Sequence, residues 1–502
     1  MWIRTLYFLS GLAVGVSAAE DRFPANANHI FNAVHSSMRQ WGSSLHHNGM
    51  SFFLASVPAG TQLYHGNTSP GPVNGTEWLA FEPEHALIFT KPFPHGPQPP
   101  PDQPRGRSQK PLQSTQEPES EEDPHQRGWL HTYTTTKNLR LLYVDGMSAA
   151  KTDNGTLDSQ DRILFDDKLH GRPTMLERER ADLACQMARK VWNGRLDGLL
   201  RMEAGFEVIL CDFGRDLNVV RVTRVKGNTK GRQRNGSGGN GTGQGNELGG
   251  ARLWYKAAAS RYGGIGGRRV ALNYDHFVSA FAYGLDLFRQ SEDTGVMYPR
   301  LTHVPSQDLD PIRQDLSRLI LDHDPQEPSF DWQAIADMVV ERYGRDLRYM
   351  TSGQLTTMSQ LQEEVEGSLS PFIDYDDRNT SHEVDRCSSH FIPAEAPQKG
   401  LAAHAVRSVA RSICTTLVDV WSQSDYPMAI AQLQELTDYL SWTTWKECGK
   451  CPDNEICMVP LWPLGTIEDY KHPECRDASM PNGKGRRYWG ALPQPPPPGD
   501  EH

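Results

Sequence analysis

The stretch Phe206-Glu207-Val208-Ile209-Leu210-Cys211-Asp212-Phe213 carries the strongest strand signal in the chain. It is aromatic, β-branched and almost free of polar side chains, the pattern of a strand buried in a sheet. Its partners lie upstream. Residues 139–144 read as a second strand, ended by Asp145-Gly146, and residues 52–57 and 62–64 flank a turn at 58–60. Helical patterns are interleaved with them. Ile30, Phe31, Val34, Met38 and Trp41 fall near helical spacing within 28–45, and 176–192 is rich in Arg, Glu, Leu and Ala. Strands and helices so mixed predict one α+β unit over 20–225.

Downstream the pattern changes. Residues 277–288, 311–321, 332–343 and 402–421 carry apolar residues three or four apart, and 430–445 continues in the same way. Residues 262–269 read as a glycine-rich turn feeding a strand over 270–273. The expected fold is α+β: an N-terminal mixed α/β domain, a mostly helical second part over 251–445, and a short cysteine-bearing C-terminal segment over 446–488. Two stretches lack the apolar area to offset the entropy of ordering. Residues 94–127 are Pro, Gln, Ser, Glu and Arg and predict a disordered insertion; 226–250 is Gly- and Asn-rich and predicts a linker or loop. Residues 489–502 read as a proline-rich tail.

The beginning of the chain predicts its route. Arg4 is followed by an apolar run over 5–16 and by Ser17, Ala18 and Ala19, after which charge returns at Glu20, Asp21 and Arg22. A basic start, a short apolar core and small exit residues make a secretory signal peptide over 1–19. No other stretch reaches the roughly 18 apolar residues of a membrane span, so a secreted, extracellular protein with no membrane span is expected. Asn-x-Ser/Thr triplets at Asn67, Asn74, Asn154, Asn235, Asn240 and Asn379 suit that route as glycan acceptors. The formal charge of −11 becomes −12 once the segment holding Arg4 is removed. That balance opposes a nucleic-acid partner, which requires a basic surface for phosphates.

The eight cysteines fit an oxidising compartment. Cys448, Cys451, Cys457 and Cys475 have a spacing that would also permit zinc, but export favours two disulfides over a metal. Cys387 and Cys414 are further disulfide candidates. Cys185 and Cys211 fit either a bond across the core or two buried thiols. No metal is expected at any of them.

Familiar catalytic motifs are absent. There is no Gly-x-Ser-x-Gly turn, His382-Glu383 has Arg386 where a zinc protease places its second histidine, and no phosphate-binding Gly-x4-Gly-Lys occurs. One ordered constellation remains: 57–66, ending in Leu63-Tyr64-His65-Gly66; then 78–89, an aromatic strand end leading into a helix; then Glu207-Val208-Ile209-Leu210. It resembles the ADP-ribosyltransferases over 22–213. That resemblance implies that His65 and Gly66 hold NAD, that Tyr133 stacks on it, and that Glu207 is catalytic, with His65 and Glu207 facing one cleft. A fixed carboxylate would stabilise positive charge developing on the ribose as nicotinamide leaves. This sequence lacks a Ser-Thr-Ser after the first strand and a Glu-x-Glu before Val208.

Three readings of function follow. The first is an extracellular binding or interaction protein whose partner is unknown. The second is an ADP-ribosyltransferase-like enzyme with NAD as cofactor. The third is a secreted hydrolase using a carboxylate pair, which leaves no spacing to find. The mature protein should accumulate in culture medium, begin at Ala19 or Glu20 by N-terminal sequencing, and shrink on glycosidase treatment. Intact Met1 on protein retained in cells is the opposite result.

Overall fold

The computed structural model describes residues 25–90, 128–169, 176–225, 248–477 and 486–490. The expected signal peptide 1–19, the insertion 94–127, residues 226–247 with Asn235 and Asn240, and the tail beyond 490 lie outside the described residues.

The first helical pattern forms two helices, α1 (Ala27–Ser36) and α2 (Gln40–Leu45). Met38 breaks them apart with φ at +56°, a left-handed conformation that a right-handed helix does not continue through. Its N–H donates to the Tyr143 hydroxyl at 3.2 Å and pins the corner to the sheet. The chain then runs through β1 (Asn48–Val57), β2 (Gln62–Asn67), β3 (Glu77–Ala80), α3 (Pro83–Leu87), β4 (Trp129–Thr135) and β5 (Leu139–Gly146). A π-helical turn, Ser159–Leu164, precedes α4 (Glu177–Lys190), β6 (Gly198–Met202), β7 (Phe206–Leu210), α5 (Phe213–Asp216) and β8 (Leu217–Arg224). Next come α6 (Leu248–Ala259), β9 (Ala271–Ser279) and the hairpin of β10 (Phe288–Gln290) and β11 (Met297–Pro299). The rest is α7 (Asp310–Asp322), α8 (Trp332–Met350), α9 (Met358–Leu369), α10 (Thr380–Ser389), α11 (Leu401–Trp421), α12 (Tyr426–Leu440), β12 (Glu455–Cys457), α13 (Ile467–Lys471) and β13 (Cys475–Asp477).

Nine strands form one sheet in the order β8-β4-β2-β3-β7-β6-β5-β1-β9. Only β5 and β6 run parallel. Register separates the faces, because directly opposed residues point the same way. Tyr143, Leu200 and Val208 are aligned across β5, β6 and β7, and Tyr143 meets the α1–α2 corner. The next row, Arg201 and Glu207, faces the other side, where Arg201 meets Glu177 of α4. Helices thus cover both faces of the central strands, and the structure is α+β, with the mixed sheet first and most helices after it.

The expected helix over 277–288 is not formed. Phe277 and Val278 instead pair with Phe53 and Phe52 of β1, and β9 ends at Ser279 in a 3₁₀ turn, Ala280–Tyr283. A short apolar run has no preference of its own; the open edge of β1 decides for strand. The expected helical run over 430–445 likewise stops at Leu440, where Ser441 takes φ +48° before the turn Thr443–Lys446. In the helical part, α11 is apolar on nearly every side and lies innermost, with α1, α9, α10 and α12 packed on it. Among the described residues no helix is long and apolar enough to cross a membrane.

Four disulfides close the fold: Cys185–Cys211, Cys387–Cys414, Cys448–Cys457 and Cys451–Cys475. The open question over Cys185 and Cys211 resolves to a bond that ties α4 to the end of β7. Peptide mapping without reduction should recover these four linkages and no free thiol. Replacing Cys185 and Cys211 together by serine should lower stability by about 3 kcal/mol in denaturant unfolding, from the loop-closure entropy returned to the unfolded chain.

Candidate functional site: a histidine- and aromatic-lined cavity

A cavity of about 410 Å³ opens where the start of β1, the end of β5, α1, the β10–β11 hairpin and the chain after α12 converge. Its wall is built from close backbone approach. Asn48 of β1 pairs with Gly146 of β5, and Gly146 has φ +66°. A Cβ on Gly146 would lie 2.5 Å from the His47 carbonyl oxygen, and one on Gly49 would lie 2.0 Å from that of Asp145. Only glycine permits this contact at both positions. On the opposite wall, Asn28 and Asn32 of α1 donate to the carbonyls of Tyr439 (2.5 Å) and Leu440 (2.9 Å). These are end carbonyls of α12 that its own ladder leaves without donors.

The polar lining is ordered. Asn48 Nδ2 donates to the carbonyls of Asn154 (2.8 Å) and Pro299 (3.0 Å), which turns its Oδ1 toward His47 Nδ1 at 2.5 Å. Nδ1 therefore carries the His47 proton, and Nε2 accepts from the Tyr488 hydroxyl at 2.6 Å. Tyr488 in turn accepts from Tyr298 at 2.6 Å, whose hydroxyl accepts from Thr294 at 3.3 Å. Tyr470 stacks on Tyr488 with centroids 4.8 Å apart, and His29 stacks between Phe281 and Phe288 at 4.9 and 4.6 Å.

Burial shifts the ionisable groups of this lining. It lowers His29 and His47 to about 4. It lowers His46 to about 3, helped by the neighbouring His29, Lys446, His47 and His35. Asp145 is pushed by burial up to about 7, although the Ser51 N–H bonds its carboxylate at 2.8 Å. Lys446 is lowered by burial to about 8. Neutral imidazoles both donate and accept, and Asp145 and Lys446 titrate near neutrality, as groups in a binding or reacting pocket do.

The residues of the ADP-ribosyltransferase resemblance lie elsewhere and do not converge. Tyr64, Ala80 and Glu207 align across β2, β3 and β7, so His65, one residue on from Tyr64, points to the opposite face from Glu207. His65 is buried, and its Nδ1 donates to the Trp78 carbonyl at 2.8 Å. Tyr133 shares the His65 face: its hydroxyl bonds His131 Nδ1 at 3.2 Å, and both His65 and Tyr133 lie against Phe213. Gly66 serves packing, since a Cβ there would lie 2.0 Å from the Ala86 carbonyl oxygen of α3.

Glu207 belongs to a buried ionic cluster. Arg201 bonds Glu207 at 2.5 Å, also bonds Glu177, and reaches the Gln160 oxygen at 3.1 Å. Lys151 bonds Glu203 at 2.8 Å, and His85 Nε2 lies 3.2 Å from Glu203. Burial would raise Glu203, but Lys151 and His85 outweigh it and hold that carboxyl low. Burial prevails at Glu207, which is raised. His85, Glu203 and Glu207 present ligand atoms within 4.8 Å of one another, yet Lys151 and Arg201 already neutralise those carboxylates, so a dication does not suit this cluster. His276, His323 and Glu327 form another such group on the surface, with the two imidazoles stacked at 3.7 Å.

The glycan acceptors differ in access. Asn74 and Asn379 are exposed, Asn154 is half-buried and donates to the Tyr488 carbonyl at 3.1 Å, and Asn67 is fully buried. Sequence reasoning passed over the cavity residues. The adjacent pair His46-His47 was the available signal. Trp489, which the sequence places in the tail, is buried and donates to the Leu464 carbonyl at 3.0 Å.

A family model described as the YPL277C N-terminal domain matches residues 21–231, which hold β1 to β8 and the cavity wall they supply. The chain is 34% identical over 230 residues to uncharacterized protein YOR389W of Saccharomyces cerevisiae, covering 40% of this chain and 34% of that protein. It is 34% identical over 228 residues to uncharacterized protein YPL277C of the same yeast, covering 40% of this chain and 43% of that one. The chain thus spans less than half the length of each of these curated relatives. No solved structure matches.

Proposed function

We propose that this is an exported glycoprotein that binds a small organic molecule in the cavity beside His46, His47 and Lys446. The observation that carries the reading is the cavity of about 410 Å³, which combines stacked aromatic walls with oriented polar groups. That size and mixed lining are those of small-molecule sites. Four disulfides support passage through an oxidising compartment, and the exposed Asn74 and Asn379 triplets offer glycan acceptors.

Phenylnaphthylamine, a neutral apolar fluorescent probe, should bind the secreted protein saturably at one site. Ala33 of α1 lines the cavity, so Ala33→Trp should fill it and abolish binding while leaving the circular dichroism spectrum intact. Equal binding by the variant, or none by the wild type, removes the cavity reading.

A second reading keeps one supporting observation. The strands that resemble those of ADP-ribosyltransferases, β2, β3 and β7, are neighbours in the sheet. It requires nicotinamide release from NAD by the wild type and its near loss in Glu207→Gln. Release equal in both proteins takes Glu207 out of any such chemistry.

A further inference from the structure

We infer that the cavity takes a singly charged organic anion, a carboxylate on an apolar body, with its head at Lys446 and its body against the aromatic wall. The inference rests on the cavity reading above and adds the charge of the ligand.

Lys446 is the last residue of the 3₁₀ turn Thr443–Lys446 and reaches α13. Its amine donates to the Tyr470 carbonyl at 3.0 Å and sits 4.0 Å from the centroid of the Tyr470 ring. Among the described residues, no carboxylate lies within 4 Å of it, whereas the half-buried Lys151 has Glu203 at 2.8 Å and Lys137 has both Asp197 and Asp216. A partly buried ammonium without a counter-ion is unfavourable unless something compensates it. The Tyr470 carbonyl and ring compensate it in part, but no group that faces it closely brings a full negative charge. His46 beside it, with His29 and His35 of α1 and His47 before β1, add no negative charge. Burial raises the Tyr470 phenol well above its usual range, so it brings no charge. Burial disfavours the charged form of Asp145 of β5, although the Ser51 N–H bonds its carboxylate. Asp438 of α12 and Glu447 are exposed to water. The missing charge is therefore one that a ligand can bring.

The lining also limits the size of that charge. It contains one lysine and no arginine. Dianionic phosphate is recognised by guanidinium forks or several cations, whereas one ammonium with neutral imidazole and hydroxyl donors matches a monoanion. Phe281, Phe288, Trp442 and Trp445 offer the rest of the wall to an apolar body.

The test compares two probes of similar shape, neutral phenylnaphthylamine and anionic anilinonaphthalene sulfonate, on the intact protein. The wild type should prefer the anion, octanoate should displace it at lower concentration than octanol, and inorganic phosphate should not displace it. Lys446→Met should weaken the anionic probe about 10- to 100-fold, the range for a hydrogen bond to a charged group, and weaken the neutral probe far less. Affinity of the wild type for the anion should fall as pH rises above about 8, where free Lys446 loses its proton. Lys446→Arg should keep the anion bound past that point. Equal loss of both probes in Lys446→Met, or no preference for the anion, overturns the inference while neutral binding keeps the cavity reading alive. If neither probe binds the wild type, the cavity reading fails first.

Discussion

β1 is buried along its whole length, and that single constraint organises the molecule. A strand buried on both faces and in mid-sheet has no water to satisfy its N–H and C=O groups, so it needs a paired strand on each edge. β5 supplies one, close in the sequence. The other is β9, more than two hundred residues downstream. Because β9 is the partner, the helical part is not a separate body hung on a linker. α1 packs on α11, the core is continuous from Ile30 to Trp489, and the C-terminal disulfide segment returns to His47 through Tyr488.

The ionic cluster under β6 and β7 shows why a plausible catalytic carboxylate can be structural. Glu177, Glu203 and Glu207 face Arg201 and Lys151, with Arg180 3.8 Å from Glu177, and the cluster is largely withdrawn from water. Burial, with Glu203 and Glu177 nearby, outweighs Arg201 and Lys151 at Glu207 and raises its carboxyl. With Arg201 bonded to it and α4 above, Glu207 locks a helix to the sheet. His65 does comparable work on the other face by bonding the Trp78 carbonyl between strands. Both residues hold the sheet together from opposite sides.

The cavity forms at the seam this arrangement creates. β1 and β5 close tightly at Gly49 and Gly146, and the backbone there turns His47 and Asn48 inward. α1, gripped by the end carbonyls of α12, stands off from that corner. The gap is walled by aromatic rings from four separate stretches of chain. Histidines placed there stay neutral because burial penalises their charged form, and the same effect leaves Lys446 easily deprotonated.

Much of the scaffold was legible in the residues themselves. The strand at 139–144 and the helices at 176–192, 332–343 and 402–421 come from local periodicity and survive in place, as does the α+β class, while the strand expected over 206–213 ends at Leu210 and Phe213 opens α5. Such patterns are set by a few neighbours along the chain, and the surroundings only extend or trim them. The cysteine count and the apolar start likewise pointed to disulfides from composition alone, and the structure supplied the pairing. What tertiary structure decided were the features that depend on a distant partner. Phe277 and Val278 are strand because β1 had an open edge, the break at Met38 follows from the reach of Tyr143, and Trp489 is core because a socket awaited it. Facing is the clearest case. His65 and Glu207 read in sequence as one site, but the register of β2, β3 and β7 places them on opposite sides of the sheet. Lys446 and His46, four hundred residues apart, share a cavity that no spacing in the chain foretells, because side-chain proximity across a fold is fixed by strand register and helix packing rather than by sequence order.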